Sequence, residues 1–282
     1  MKPGLQSAFG HTHVGQRRES NQDSYLCLRL LAGEVDGYLL EVADGMGGHV
    51  GGDIASEIAI TALRDRVTRI PTRDDPSPET LSGLLAEAFQ EANARIFARA
   101  QDDTSLHGMG TTMVASLTVG RRTQVANVGD SRAYLVNADG IQQSTVDHTW
   151  EAVELERGEL TAEDIAQSPF HGMITRSLGP QPEIDVDTFD LELAGGDYLL
   201  LCSDGVYREL RESQMHEVVV TVGDPERCCR RLVDLANEAG AADNVTCVVG
   251  GPAGEFATRD ARADTVRVAV VRTVGGSAST DR

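Results

Sequence analysis

The sequence predicts an α+β domain in which short strands outnumber helices, and three observations carry that prediction. Short β-rich runs punctuated by turn signals recur along most of the 282 residues. Residues 198–202 and, but for Thr246, 245–249 are continuously apolar, as expected for strands buried on both faces. Two other segments carry capped, amphipathic helix patterns that interrupt the strands.

Taken in order, residues 38–43 read as a strand, with Asp36-Gly37 before it suited to a hairpin turn. A helix follows over about 53–67. Ser77-Pro78-Glu79 gives the next helix an N-cap, a proline in its first turn and an acid beside it. Leu81, Leu84, Leu85, Ala88, Phe89, Ala92 and Ile96 then mark one buried face. Residues 112–119, 123–128 and 133–136 are strand candidates, closed by the turn Asn137-Ala138-Asp139-Gly140. The polar, irregular stretch 150–172 suits a surface flap. Asp224-Pro225-Glu226 starts a last helix, with Leu232, Leu235 and Ala236 inward and Gly240 as its stop. The pattern fades after Gly250-Gly251-Pro252, so the expected division is one domain over 1–251 and a C-terminal extension over 252–282. Within that extension, 266–271 suits one more strand and 275–282 a mobile tail.

Composition limits the function. The formal net charge of −19 argues against nucleic acid or an anionic membrane as partner, since both would be repelled. No apolar run approaches the roughly 20 residues that span a bilayer, and the first residues lack the apolar stretch of a secretory signal. The five cysteines contain no C-x-x-C pair, so a disulfide framework is not expected and the cytoplasm is the expected location.

The informative feature is a set of aspartates at predicted strand ends, each beside a small or polar residue. Asp44 opens Asp44-Gly45-Met46-Gly47-Gly48-His49, Asp130 lies in Gly129-Asp130-Ser131-Arg132, and Asp204 in Ser203-Asp204-Gly205. Asp243 precedes Asn244, and Asp23 closes Arg18-Glu19-Ser20-Asn21-Gln22-Asp23. A single Asp-Gly at a strand end is ordinarily a turn. Carboxylates gathered at strand ends, however, repel one another unless a divalent cation neutralises them. All-oxygen donors favour Mg²⁺ or Mn²⁺ over Zn²⁺, and glycine after Asp44 leaves its own carbonyl open to an ion.

This series of motifs, with Gly110-Thr111-Thr112 among them, resembles the metal-dependent protein serine/threonine phosphatases of the PPM (PP2C) family, the bacterial branch above all. The resemblance covers roughly residues 8–250. It implies a four-layer αββα sandwich of two antiparallel sheets flanked by helices, with two or three Mn²⁺ or Mg²⁺ ions in a cleft at one end. It implies that Asp44 bridges two ions, with the Gly45 carbonyl on the second, and that Asp204 and Asp243 ligate the first. Asp130 with Asp204 matches a third-ion site, for which a plain turn is the alternative. Arg18 matches the arginine that grips the substrate phosphate, a task suited to its fork of donors. Asp23 and Asn244 match residues that orient water or neighbouring ligands.

Two departures stand out. Gln22 replaces a glutamate common in the family, which would weaken the second ion. Met46 stands where the animal enzymes carry a histidine proposed as general acid, and His49 is read as a helix-start or packing residue. The implied substrates are phosphorylated proteins and the implied partner is a Ser/Thr kinase system, with the enzyme a monomer. The alternatives are a regulatory phosphatase dedicated to one phosphoprotein, of the anti-sigma-factor-antagonist type, and a catalytically dead phosphoprotein-binding module. Cys202 and Arg208 formally fit the C-x5-R signature of cysteine phosphatases. A thiol at the end of an apolar run, with Asp204 inside the loop, is a poor phosphate nucleophile. The role of Arg176 does not follow from its position.

Overall fold

A computed structural model describes residues 5–32, 35–46, 51–68, 77–120, 122–158, 160–252 and 271–272. In chain order it runs β1 (Ala8–His13), β2 (Asp23–Ala32), β3 (Val35–Met46), α1 (Gly52–Thr68) and α2 (Pro78–Asp102). The middle holds β4 (Gly110–Thr111), β5 (Met113–Val119), β6 (Arg122–Val128), β7 (Arg132–Asn137), β8 (Gly140–Gln143), α3 (Trp150–Arg157) and α4 (Ala162–Ala166). The remainder is β9 (Asp187–Glu192), β10 (Tyr198–Cys202), α5 (Asp204–Tyr207), α6 (Glu212–Val222), α7 (Pro225–Ala239), β11 (Val245–Gly250) and β12 (Val271–Arg272).

The strands pair into two antiparallel sheets, β1-β11-β10-β7-β8 and β12-β9-β6-β5-β3-β2, with β4 added to β3. Side-chain alternation explains the layering. On β3, Leu39 and Ala43 face a cluster with Ala59 and Leu63 of α1 and Leu85 and Phe89 of α2. Leu40 and Val42, one residue out of phase, meet Leu135, Leu199, Leu201 and Val248 between the sheets. On β10, Leu200 and Cys202 turn the other way, onto Met215 and Val219 of α6 and Leu232 of α7. A strand apolar on both faces needs cover on both faces, and the result is the expected αββα order.

The helix signals act as read. The Ser77 side chain accepts from the Thr80 N–H ahead of α2, and Asp224 does the same for Arg227 ahead of α7. Gly240 ends α7 in the left-handed region at φ +106°.

Several expectations change. Asp36-Gly37 is not a turn: Gly37 lies within β3 opposite Leu30. A Cβ on Gly37 would come 2.6 Å from the Thr118 carbonyl oxygen, so the glycine serves close approach of β5. The flap is less irregular than expected, because it contains α3 and α4. Strands β1, β2, β8 and β9 and helix α6 add to the elements anticipated. Of the C-terminal expectations, residues 253–270 and 273–282 lie outside the described residues, while 271–272 pair with β9.

Candidate active site

The aspartates singled out in the sequence gather where strands of both sheets end. The β2–β3 ladder sets Asp23 directly opposite Asp44. The Gly110-Thr111-Thr112 motif fixes the Asp44 backbone: Thr111 Oγ1 and the Thr112 N–H donate to its carbonyl at 2.8 and 2.9 Å. Thr112 Oγ1 also accepts the Asp44 N–H at 3.1 Å and meets Ser131 Oγ at 2.7 Å, tying Asp44 to the loop that carries Asp130. Gly45 has a steric reason beyond an open carbonyl. A Cβ there would lie 2.1 Å from the Gly52 carbonyl oxygen and 2.5 Å from that of Gln22.

Asp204 is the first residue of α5, immediately after β10 and Ser203. Ser203 Oγ donates to Asp23 Oδ2 at 2.8 Å, a bond that couples the two sheets at the site. Asp243 precedes β11 and takes Arg18 Nη2 on its Oδ2 at 2.6 Å. Asn244 pins the loop carrying Arg18: its Nδ2 donates to the Val14 and Ser20 carbonyls, and its Oδ1 accepts the Gln22 N–H at 2.8 Å. The Gln22 side chain packs against Gly52 at the start of α1.

The electrostatics are those of crowded acids. Burial holds the Asp44 carboxyl well above the ordinary carboxylate range, and the charges of Asp23, Asp204, Asp130 and Asp243 add to that. Burial pushes Asp23 up to about 7, with the Ser203 and Thr246 hydrogen bonds only partly offsetting it. Burial and the Asp204 charge raise Asp130 to about 6. Burial also raises Asp204, against the pull of the Arg208 guanidinium. Asp204 Oδ1 is buried with no hydrogen-bond partner, and Asp23 Oδ1 likewise. Buried carboxylate oxygens left without any donor fit a hard divalent cation.

As they stand, no three Asp, Glu, His or Cys side chains among the described residues converge closely enough to chelate one ion. Arginines hold part of the set: Arg18 occupies Asp243, and Arg208 spans Asp130 and Asp204. Gly47, Gly48 and His49 fall outside the described residues.

Sequence reasoning missed several neighbours. Tyr207 Oη donates to the Asp130 carbonyl at 3.0 Å and to its Oδ2 at 3.2 Å. Arg132 stacks over the Tyr207 ring at 3.7 Å while gripping Asp147 with two nitrogens. His148 accepts the Gly129 N–H on Nδ1, and its Nε2 lies 3.1 Å from Asp187 Oδ2 and 3.0 Å from Arg176 Nη1. Arg176 gains a role it lacked in the sequence, since its Nη1 holds Asp187 Oδ1 at 2.8 Å. Against the push of burial, these contacts keep the Asp187 carboxyl at about 2. Cys202 is fully buried, and burial pushes its thiol up to about 12, which leaves it inert.

A family model described as "Protein phosphatase 2C" matches residues 7–245. The chain is 36% identical over 211 residues to "Serine/threonine phosphatase stp" of Listeria innocua, covering 74% of this chain and 82% of that protein. It is 35% identical over 235 residues to "Protein phosphatase PhpP" of Streptococcus pneumoniae, covering 83% of this chain and 93% of that one. Among solved structures, "Serine/threonine phosphatase Stp1 from Staphylococcus aureus" superposes with a TM-score of 0.79 at 30% identity, covering 90% of this chain and 98% of its own.

Proposed function

This chain belongs to the protein phosphatase 2C family and is a metal-dependent protein serine/threonine phosphatase, and we propose that its strand-end carboxylates hold the divalent ions of that reaction. The observation that carries this reading is the gathering of Asp23, Asp44, Asp130 and Asp204 at one end of the sheets, with buried oxygens of Asp23 and Asp204 left without any donor.

In the proposed assignment Asp44 serves two ions, the Gly45 carbonyl supports the second, and Asp204 and Asp243 complete the first. Asp130, with Asp204, serves a third. Mn²⁺ or Mg²⁺ suits these oxygen donors. Bound there, such ions lower the pKa of an attacking water and offset charge on the phosphoryl oxygens.

The chain's own residues do the rest. Asn244 holds the 14–22 loop so that Arg18, half exposed, stands at the rim of the acidic cleft. On substrate binding Arg18 exchanges Asp243 for the phosphate, to which its planar fork is matched. Ser203 fixes one oxygen of Asp23, and Thr111 and Thr112 fix the Asp44 backbone, so the cleft is rigid before any ligand enters. Met46 has no proton to give, and the buried Cys202 offers no nucleophile, so direct attack by water is the proposed route.

Phosphoproteins are the substrates and a Ser/Thr kinase system the counterpart. A dead binding module is not favoured, because every carboxylate of the assignment is present, and the phosphatase names of the relatives do not favour a dedicated anti-sigma-antagonist phosphatase. No helix among the described residues is long and apolar enough to cross a membrane. The five free cysteines fit a reducing compartment, and a cytoplasmic monomer with its phosphatase unit over 1–251 is the proposed form. The reading is tested by phosphate release from a phosphothreonine peptide: Asp44→Asn and Asp204→Asn are each expected to cost orders of magnitude in kcat. Near-normal turnover in either folded variant overturns the assignment.

A further inference from the structure

Helix α5 is a single turn, and that turn sets Arg208 back over Asp204: the Arg208 N–H donates to the Asp204 carbonyl at 3.0 Å. The i, i+4 spacing brings the side chains onto one face, and Arg208 Nε meets Asp204 Oδ2 at 3.1 Å. The same guanidinium reaches across to Asp130, with Nη2 at 3.4 Å from Oδ2. It therefore spans the two carboxylates assigned above to a third ion.

The surroundings fix this arrangement. Tyr207 binds both the Asp130 carbonyl and its Oδ2, and is itself held under Arg132, so the α5 turn cannot rotate away from Asp130 without breaking those contacts. Asp130 is 1% exposed and Asp204 7%, whereas 49% of the Arg208 side chain is accessible. The acids are thus fixed and buried, and the cation between them is the movable member. Asp204 Oδ1, which Arg208 does not reach, stays buried and without a partner.

We propose that Arg208 is the resident counter-charge of the Asp130–Asp204 pair, so that a third divalent ion enters only by displacing its guanidinium into solvent. The proposal rests on the assignment of Asp44, Asp204 and Asp243 to the first two ions. It makes the third site a competition between a tethered monovalent cation and a free divalent one. The third ion is then bound weakly and at elevated metal concentration, because it must displace Arg208 from both of its carboxylates, whereas the first ion meets Arg208 at Asp204 alone and has Asp44 and Asp243 besides. Because the guanidinium is half exposed and screened, its removal is expected to strengthen the third site by about tenfold rather than thousandfold.

The test is Mn²⁺ binding to the whole chain, by equilibrium dialysis and calorimetry, for the native protein, Arg208→Gln, and Arg208→Gln combined with Asp130→Asn. Two tight ions in all three proteins, a weak third site tightened about tenfold in Arg208→Gln, and loss of that gain in the double variant support the proposal. Two tight ions with the weak-site affinity unchanged in Arg208→Gln overturn it and leave the assignment of the first two ions standing. Absence of tight Mn²⁺ binding in the folded native protein overturns both.

Discussion

Replacing Glu41 by methionine is expected to stabilise the protein, and to do so more strongly as the pH rises. Glu41 is fully buried, and neither of its carboxyl oxygens has a hydrogen-bond partner. It sits on β3 between Leu39 and Ala43, opposite Leu26 of β2 and Ala115 of β5. These neighbours face the apolar layer beneath α1 and α2. Burial holds its carboxyl well above the ordinary 4.5, against the pull of Arg64. Below pH 4.5 both the folded and unfolded chains carry this proton, and it costs nothing differential. As the pH rises, the unfolded chain releases the proton and the folded chain keeps it. Stability then falls by about 1.4 kcal/mol per pH unit until the folded group ionises. Methionine has similar length and no oxygen to desolvate, so it escapes this loss. Its gain at pH 7.5 should exceed that at pH 5, by at most about 3 kcal/mol, or about 6–12 °C in Tm for a chain of this size. Paired thermal melts of native protein and Glu41→Met at the two pH values read the difference directly, since every other titrating group is common to both. An equal Tm shift at both pH values, or a loss at pH 7.5, refutes the reasoning.

Arg18→Ala should lower kcat/KM by about one to two decades, the worth of a charged hydrogen bond of roughly 1.5–3 kcal/mol. Arg17→Ala, one residue out of register, should change it little, and equal effects would show the wrong arginine was chosen. Cys202→Ala should keep most of the activity, because a thiol pushed up to about 12 is no nucleophile. A folded but inactive variant would restore the cysteine mechanism. Mn²⁺ binding should release protons, more at pH 6 than at pH 8, because Asp23 at about 7 and the raised Asp44 must ionise beside the cation. Calorimetry in buffers of different ionisation enthalpy measures the count, and a count independent of pH would contradict the charge balance described here.

The elements legible in the sequence were those set by local chemistry. Ser77-Pro78 and Asp224-Pro225 announced α2 and α7 because a cap and a fixed proline φ act within one turn. Strand β9 carried a readable alternation, Phe189 and Leu191 inward between polar residues, but its ends lack turn signals. Helix α6 was hidden because Val218-Val219-Val220 reads as a strand. The Arg211 N–H to Gln214 contact at its start and Gly223 in the left-handed region at its end hold the helix instead.

The acidic cluster was legible because each aspartate closes or opens a strand beside a small or polar residue. What the sequence concealed was partnership. That Arg208 lies over Asp204 follows from i, i+4 spacing only once α5 is known to begin at Asp204. That it also reaches Asp130, 78 residues away in the chain, depends on β7 and β10 lying side by side. His148 and Gly129 meet for a similar reason, through a loop closure that no local pattern encodes.

The central claim is that divalent ions held by Asp44, Asp204 and Asp243 are required for hydrolysis. It is tested most directly by following phosphate release from a phosphothreonine peptide while excess chelator is added and Mn²⁺ is then restored. The account predicts loss of activity to background and recovery on Mn²⁺ addition, with the protein folded throughout. Turnover that persists in excess chelator would contradict it.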